Sequence, residues 1–277
     1  VNSAGDESSS ISRIYALNRV KEIVGNAGGA FAAIKLDGSV VTWGQTDFGA
    51  NSTSVSAQLT NVKSISATNT AFAAIKNDGS VVTWGHAPNG GDSTSVSAQL
   101  TNVKSISATG VAFAAIKNDG SVVTWGDAGN GGNSSSVSAQ LTHVTSISAT
   151  GLAFAAIKSD GSVVTWGDSP SGGDSASVIS QLIEVQSISA TSQAFAAIKT
   201  DGSVVTWGSS SSGGNSTLVA AQLMNVRSIS ATNLAFAAIK TDGSVVTWGF
   251  ASIGGNSTSV SAQLTNVKSI SATGVAF

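Results

Sequence analysis

Six Trp-Gly pairs recur along the chain at a constant interval of 41 residues. The tryptophans are Trp43, Trp84, Trp125, Trp166, Trp207 and Trp248. Self-similarity at a fixed period of this length is typical of repeat proteins, in which each unit buries its apolar surface against its neighbours. The 277 residues are therefore predicted to form one stacked array, and not several unrelated domains.

One repeat contains four short segments separated by turn residues. Segment A is Ser64–Thr68, segment B is Ala71–Lys76, segment C is Ser80–Trp84 and segment D is Ser95–Leu100. Gly, Ser, Thr and Val recur too often for helices, and no apolar pattern with a period of 3.6 residues persists. The sequence predicts an all-β fold of four-stranded antiparallel blades, with D as its one ambiguous segment.

The link between segments B and C is the dipeptide Asp78-Gly79. A two-residue Asp-Gly link is typical of a type I′ β-hairpin, in which both residues have positive φ. The flanking strands have no polar side, which indicates that both faces are covered. Phe72 and Trp84 are therefore expected to lie between neighbouring sheets.

The composition argues against several function classes. Charged residues make up 10% of the chain and the net charge is −2, so neither nucleic acid nor an anionic membrane is an expected partner. Cysteine is absent, and no apolar run reaches the roughly 18 residues of a membrane span. The two histidines, His86 and His143, lie in different repeats. We expect no catalytic site, no metal and no cofactor.

The repeated phrase Ile-Ser-Ala-Thr, two variable residues, Ala-Phe-Ala-Ala-Ile-Lys, one residue, Asp-Gly-Ser-Val-Val-Thr-Trp-Gly resembles the repeats of the regulator of chromosome condensation family. The short unit is most similar to the beta-lactamase inhibitor protein II branch. The resemblance covers nearly the whole chain and implies a seven-bladed β-propeller that binds other proteins. The polar Gly-Gly-Asp/Asn-Ser stretch departs from the sequence of that branch. The resemblance therefore does not imply the same partner.

Further copies of the segments lie at both ends of the chain. Ser9–Leu17 resembles D and Val20–Gly25 resembles A, while Ser259–Leu264 and Ser269–Thr273 repeat D and A. The count is seven A segments, seven D segments and six B–C hairpins. This predicts a seven-bladed propeller whose last blade lacks its hairpin. A six-bladed ring and a segment of a longer array are the alternatives.

These counts divide the chain within a single propeller, 1–277. Residues 1–29 form a divergent half-repeat that supplies a closing outer strand, and 30–275 contain six repeats. Residues 276–277 begin a truncated hairpin. We expect the native chain to continue beyond Phe277 by about 15 residues that complete this hairpin.

Differences among the repeats concentrate in two connections, the four residues after each Trp-Gly and the two after each Ala-Thr. In an antiparallel blade the A–B and C–D connections emerge at the same end. Variable loops on a rigid scaffold are typical of binding sites. The predicted binding residues are Asp47, Phe48, Asn69, His86, Asn89, Asp127, Asn130, Asp168, Phe250 and Ile253.

Four Asn-x-Ser/Thr sequons share one repeat position. They begin at Asn51, Asn133, Asn215 and Asn256. In a secreted eukaryotic protein these asparagines would be glycosylation acceptors.

Variable loops on a constant ring favour a non-enzymatic binding module, secreted or exposed at the cell surface, with a protein partner. The alternative is a structural or glycan-binding component of an extracellular or cell-surface assembly. Richness in Ser, Thr, Asn and Gly fits that alternative.

Overall fold

The computed structural model describes residues 19–277, and the predicted D segment at Ser9–Leu17 lies outside them. Within this range, 18 β-strands form six antiparallel three-stranded sheets, each with its strands in chain order. Each sheet is termed a blade, numbered from 1 to 6 along the chain. The strands are β1 Val20–Gly25, β2 Ala30–Lys35, β3 Val40–Gly44, β4 Val62–Ala67, β5 Ala71–Lys76, β6 Val81–Gly85, β7 Val103–Ala108, β8 Ala112–Lys117, β9 Val122–Gly126, β10 Val144–Ala149, β11 Ala153–Lys158, β12 Val163–Gly167, β13 Val185–Ala190, β14 Ala194–Lys199, β15 Val204–Gly208, β16 Val226–Ala231, β17 Ala235–Lys240 and β18 Val245–Gly249.

The all-β prediction is confirmed, and segments A, B and C are the three strands of each blade. In blade 2 the middle strand β5 pairs on one side with β4 and on the other with β6. Phe72 lies opposite Trp84 in this register. A bulge follows Val62, where the pairing shifts by one residue.

The B–C turn differs from the predicted type I′ hairpin. Gly79 has a φ of +78°, whereas Asp78 is not among the residues with positive φ. The Gly79 N–H donates to the Lys76 carbonyl, and the Lys76 N–H donates to the Ser80 carbonyl. This is a three-residue loop ending in a glycine bulge. Asp78 keeps an ordinary backbone because its carboxylate accepts hydrogen bonds from the Ser80 N–H and hydroxyl.

Segment D is a short 3-10 helix and not the predicted fourth strand, so each blade has three strands. Local hydrogen bonds explain the difference, since Asp92 accepts from the Thr94 N–H and Ser97 donates to the Thr94 carbonyl. Such side-chain bonds to nearby backbone compete with strand pairing. The D helices are Thr53–Gln58, Thr94–Gln99, Ser135–Gln140, Ile179–Gln181, Thr217–Gln222 and Ser261–Gln263.

Each C–D connection also begins with a single helical turn. These turns are Thr46–Phe48, Ala87–Asn89, Ala128–Gly132, Ser169–Gly173, Ser210–Ser212 and Ala251–Ile253. A glycine in the left-handed conformation lies within or directly after each turn, for example Gly49 with a φ of +108°.

The core lies between neighbouring blades, as expected. In blade 2 the Phe72 and Trp84 rings stack with their centroids 5.2 Å apart, and both side chains are buried. They pack against Ala30, Ala32 and Ile34 of blade 1. The apolar face of one blade is thus covered by the next blade, which is how a repeat too small to fold alone becomes stable.

In blades 2 to 6 the Trp indole links the blade to the preceding one. Trp84 Nε1 donates to the Gly49 carbonyl at 2.9 Å. Gly49 must be glycine because a Cβ there would lie 2.7 Å from Cδ2 of Phe72. The same indole bond joins Trp125 to Gly90, Trp166 to Gly131, Trp207 to Gly172 and Trp248 to Gly213.

Residues after the sixth blade continue the pattern of contacts without forming a strand. Ser230 donates to the Ile270 carbonyl and the Asn233 N–H donates to the Gly274 carbonyl. Equivalent bonds join each earlier A segment to the next, such as Ser66 to the Ile106 carbonyl. The predicted seventh A segment therefore lies in the expected place, but only Ala276 and Phe277 follow it as the start of a B segment.

Candidate binding face

The A–B and C–D connections lie together at one end of every blade. In blade 2, Asn89 of the C–D loop donates through Nδ2 to the Thr70 hydroxyl of the A–B loop at 2.8 Å. The opposite end carries the B–C and D–A connections, where the Val103 N–H donates to the Gly79 carbonyl. The two sets of variable residues consequently share one end, which we term the loop face.

The C–D loops keep one backbone conformation despite their different side chains. The Thr68 hydroxyl donates to the Asn89 carbonyl at 3.1 Å and accepts from the Ala71 N–H at 3.0 Å. The same threonine bond to a loop carbonyl occurs at Thr109–Asn130, Thr150–Ser171, Thr191–Ser212 and Thr232–Ile253. Because these bonds use backbone carbonyls, the loop side chains are free to differ.

Backbone hydrogen bonds also join the A–B loops to one another across the face. The Asn69 N–H donates to the Gly110 carbonyl at 2.8 Å, and the Gly110 N–H donates to Gly151 at 2.7 Å. The series continues from Gly28 to Asn69, from Gly151 to Ser192, from Ser192 to Asn233 and from Asn233 to Gly274. One bond per repeat fixes the spacing of the loops, so the face is a continuous and regular surface.

The ten predicted binding residues are all on this face, but their exposure differs. Asp47, Asn69, His86 and Phe250 are exposed. The Phe250 side chain is 48% exposed, whereas phenylalanine side chains are usually buried. Half-buried are Phe48, Asn89, Asp127, Asn130, Asp168 and Ile253.

Several half-buried residues shape the loops. Asp127 accepts hydrogen bonds from both the backbone N–H and the side-chain amide of Asn130. Asp168 accepts one from the Ser171 N–H. The Phe48 ring lies against Gly28, where a Cβ would be 2.6 Å from its Cδ2. These side chains stabilise the loop backbone, and only part of each is accessible to a partner.

A groove lies beside the loop face between successive blades. Its walls come from two repeats, so no local sequence pattern predicts it. Between blades 1 and 2 it has a volume of about 630 Å³ and is lined by residues such as Asp47, Gln58 and Thr83. Equivalent grooves of about 430, 500 and 310 Å³ follow between blades 2 and 3, 3 and 4, and 5 and 6. Each groove is lined by hydroxyl and amide side chains together with apolar side chains, including a valine and the tryptophan of strand C.

Titratable groups are sparse and scattered. Within residues 19–277, no three carboxylate, imidazole or thiol side chains converge on a point where a metal ion could bind. No helix in the same part of the chain has the length and apolar character needed to span a membrane.

No family model matches the sequence, and no curated protein matches it. Solved structures do match. Prp20p from Saccharomyces cerevisiae has a TM-score of 0.53 at 15% identity, with 84% of this chain and 72% of Prp20p covered. Human WBSCR16 has a TM-score of 0.51 at 13% identity, with 84% of this chain and 77% of that protein covered.

At these identities the likeness concerns the fold alone. Prp20p is the yeast regulator of chromosome condensation, whose repeats the Ala-Phe-Ala-Ala-Ile-Lys and Val-Val-Thr-Trp-Gly phrases resemble. The chain therefore has the repeat-propeller fold of the regulator of chromosome condensation type.

Proposed function

We propose that this chain is a non-enzymatic module that binds a protein partner through the loop face. The observation that carries the proposal is the constant loop backbone, fixed by the threonine bonds to the loop carbonyls, on which the side chains differ from blade to blade. A rigid scaffold with varied loops is the usual arrangement for recognition. Prp20p, which has the same fold, binds Gsp1p and histones.

The opposite end of the propeller supports this assignment by contrast. Its B–C turns pack on the next repeat, where a Cβ at Gly79 would lie 3.0 Å from the Asn102 Cα. The Asp78 carboxylate accepts hydrogen bonds from the Ser80 N–H and hydroxyl within the turn. These residues stay constant among the repeats because the fold uses them, whereas the exposed side chains of the loop face have no such role.

The chemistry of the loop face fits a protein surface. Phe250 offers an exposed aromatic ring on blade 6, and Asp47, Asn69 and His86 offer exposed polar groups on blades 1 and 2. Aromatic residues are enriched among the side chains that dominate binding energy at interfaces, and polar residues form the rim. An extracellular or cell-surface location remains a prediction.

The proposal is tested by the double variant Phe250→Ala with His86→Ala. The immobilised protein would be incubated with extract and medium of the source organism, and bound proteins identified by mass spectrometry. Losing an anchoring aromatic at an interface costs about 2 kcal/mol or more, so capture of the specific partner should fall at least roughly thirtyfold. Thermal unfolding should be nearly unchanged because both side chains are exposed.

Leu218→Ala is the matched control. Leu218 is 99% exposed and lies on the D helix Thr217–Gln222, outside the variable A–B and C–D connections. This control should capture the partner as the unchanged protein does. Equal capture by the double variant would contradict the proposal. Phe48→Ala is unsuitable for the test, because its ring packs on Gly28 and its loss should also lower the unfolding temperature.

Glycan binding is the second candidate, and the hydroxyl and amide groups that recur in successive grooves favour it. A ligand with a regular spacing of hydroxyl groups could contact Gln58 in one groove and Gln99 and Gln140 in the next two. Binding on a glycan array that is lost in a Gln99→Leu variant, with no protein captured, would favour this function over the first.

Two finer assignments also remain proposals. The seven-bladed ring is supported by the contacts of the residues around Ile270 and Gly274, which repeat those of earlier A segments. Glycosylation of the sequons is supported by exposure of the asparagines. In Asn215 the side-chain oxygen accepts from the Thr217 N–H and hydroxyl.

A further inference from the structure

Cationic side chains are confined to one end of the propeller. All lysines and arginines of the chain except Arg13 lie within the described residues. Half of these are the last residues of the B strands, next to the B–C turns: Lys35, Lys76, Lys117, Lys158, Lys199 and Lys240. The others lie at the start of the A segments, where the D–A connections end: Arg19, Lys21, Lys63, Lys104, Arg227 and Lys268. Within residues 19–277 the loop face therefore carries no lysine or arginine.

The acidic side chains of the loop face lie in one sector. The C–D connections of blades 1 to 4 contain Asp47, Asp92, Asp127, Asp168 and Asp174. Asp92 and Asp174 are the last of these along their loops and line the grooves beside the face. The C–D connections of blades 5 and 6 contain no charged residue, and neither do the A–B connections. The loop face thus has an acidic sector over blades 1 to 4 and an uncharged sector, with Phe250, over blades 5 and 6.

Backbone N–H groups hold most of these carboxylates in fixed positions. Asp92 accepts from the Thr94 N–H at 2.8 Å, and Asp127 accepts from the Asn130 N–H at 3.1 Å. The same kind of bond occurs at Asp168–Ser171 and Asp174–Ala176. Such donors favour the ionised form of a carboxyl group, and the Thr94 hydroxyl and N–H lower the pKa of Asp92. The negative charges are therefore oriented before any partner arrives.

These carboxylates have no cationic partner in the described part of the chain. The one ion pair among residues 19–277 joins Lys158 to Asp160 at 3.8 Å, and it lies at the opposite end. No three carboxylate or imidazole groups of these residues converge on a position for a metal ion. Because the carboxylates are spread over four blades, the matching counter-charge is an extended cationic surface and not a single ion.

We propose that the partner of the loop face is a protein that presents a surface rich in lysine and arginine to blades 1 to 4. This inference rests on the proposed function, because it gives the chemistry of the partner of that same face. Cations of the partner lie against Asp47, Asp127 and Asp168, and Phe250 contacts an apolar part of the same surface. Complementary charge at an interface raises the rate of encounter and rejects partners of the wrong sign.

The opposite end of the propeller sets the orientation of such a partner. Lys21, Lys63 and Lys104 are exposed there and repel a cationic surface. The net charge of −2 gives little overall attraction, but the separation of charge between the two ends directs a basic protein to the loop face. The two ends therefore differ in charge as well as in sequence variability.

Selection from a phage-displayed library of random short peptides tests the proposal without knowledge of the natural partner. Peptides selected on the immobilised protein should be enriched in lysine and arginine by about threefold or more over the starting library. A neutral variant carries asparagine in place of Asp47, Asp92, Asp127, Asp168 and Asp174. Asparagine keeps the loop bonds, since Asn133 accepts from the Ser135 N–H at the position equivalent to Asp92. This variant should select peptides with no such enrichment.

The matched control removes charges from the other end. In Lys63→Gln with Lys104→Gln, both lysines are replaced by the residue that blade 5 has at this position, Gln186. The control should select the same cationic peptides as the unchanged protein.

Salt dependence gives a second readout on the selected peptides. Exposed charges are screened beyond a distance of about 10 Å at 0.1 M salt and about 3 Å at 1 M. Peptide affinity measured by fluorescence anisotropy should fall at least roughly tenfold between about 0.05 and 0.5 M sodium chloride for the unchanged protein. For the neutral variant the fall should be less than about twofold.

Failure of this inference is distinct from failure of the proposed function. Peptides that Phe250→Ala with His86→Ala no longer binds, but that lack lysine and arginine enrichment, would overturn the charge assignment and leave the loop face as a binding site. Cationic peptides that bind the neutral variant equally well would also overturn it, because they bind elsewhere. Absence of any peptide that depends on the loop face would overturn both proposals.

Discussion

At the scale of single residues, six positions at the D–A junctions adopt the left-handed conformation although none is glycine. Asn61, Asn102, His143, Glu184, Asn225 and Asn266 have φ values of 56–57°. Asparagine tolerates this region because its short polar side chain bonds locally, and histidine also occurs there more often than most residues, whereas other L-residues are strained. Glu184 is consequently unfavourable at a position that four of the repeats fill with asparagine.

The prediction at this scale concerns Glu184→Asn. Relief of left-handed strain, which amounts to roughly 1–2 kcal/mol for an ordinary residue, should raise the free energy of unfolding by about 0.5–1 kcal/mol in urea denaturation. Glu184→Gln is the control, since it removes the carboxylate and leaves an ordinary side chain at the same φ of 56°. A gain of the same size in the control would mean that loss of the carboxylate, and not backbone strain, is responsible.

At the scale of elements, the B–C hairpin is the most regular unit of the molecule. In all six turns an aspartate accepts hydrogen bonds from the serine two residues later, and the serine hydroxyl lowers the pKa of each carboxyl below its ordinary value. The serine N–H and a nearby lysine lower the pKa further. Each bond is strongest when the aspartate is ionised.

This pKa shift predicts the pH dependence of stability. A carboxyl whose pKa is lower in the folded state stabilises that state above the unfolded pKa of about 3.9, and loses this effect as pH falls. Thermal unfolding should occur at a nearly constant temperature from pH 7 to about 5 and at progressively lower temperature below about pH 4. Replacement of all six turn aspartates by asparagine should flatten this decline.

The control for the acid experiment is Asp47→Asn, an exposed aspartate in a variable loop that is outside the hairpins. This variant should keep the decline of the unchanged protein. If the variant with six asparagines lost stability at low pH as steeply as the unchanged protein, the turn carboxylates would not be the cause.

The elements also show how far the sequence predicts the fold. Strands B and C and the Phe72–Trp84 core were predictable, because the Asp-Gly link between two runs of small and β-branched residues and the fixed repeat spacing are signals in the sequence itself. The helical conformation of segment D was not predictable, since Ser, Ala and Gln occur in both strands and helices. The Asp92–Thr94 and Ser97–Thr94 hydrogen bonds favour the 3-10 helix over the strand. The turn type was wrong because it depends on whether Asp78 bonds to Ser80 or takes positive φ.

At the scale of the whole molecule, the propeller has a constant end and a variable end. The loop face itself was predictable from strand order, whereas the exposure of its residues was not. Phe48 and Phe250 occupy different positions in similar loops, and only the structure shows that Phe48 packs on Gly28 while Phe250 is exposed. The grooves likewise arise from residues of two repeats.

The central claim is that the variable end recognises the partner while the backbone beneath it stays constant. The loop Ser209–Ser212 already contains four serines, and its last carbonyl keeps the bond from Thr191 at 3.0 Å. Replacing the other five C–D loops by four serines, with Phe48 alone retained because its ring packs on Gly28, should therefore preserve the fold. The matched control variant leaves the C–D loops unchanged. It instead replaces the residue before Asp-Gly-Ser in four B–C turns by the asparagine that the other two turns contain. The replaced residues are Leu36, Ser159, Thr200 and Thr241.

The most direct test is capture of the partner by these two variants, with circular dichroism and thermal unfolding measured on the same samples. We expect the serine-loop variant to fold and unfold like the unchanged protein and to capture no partner. The turn variant should capture it fully. Full capture by the serine-loop variant, or loss of capture in the turn variant alone, would contradict the account.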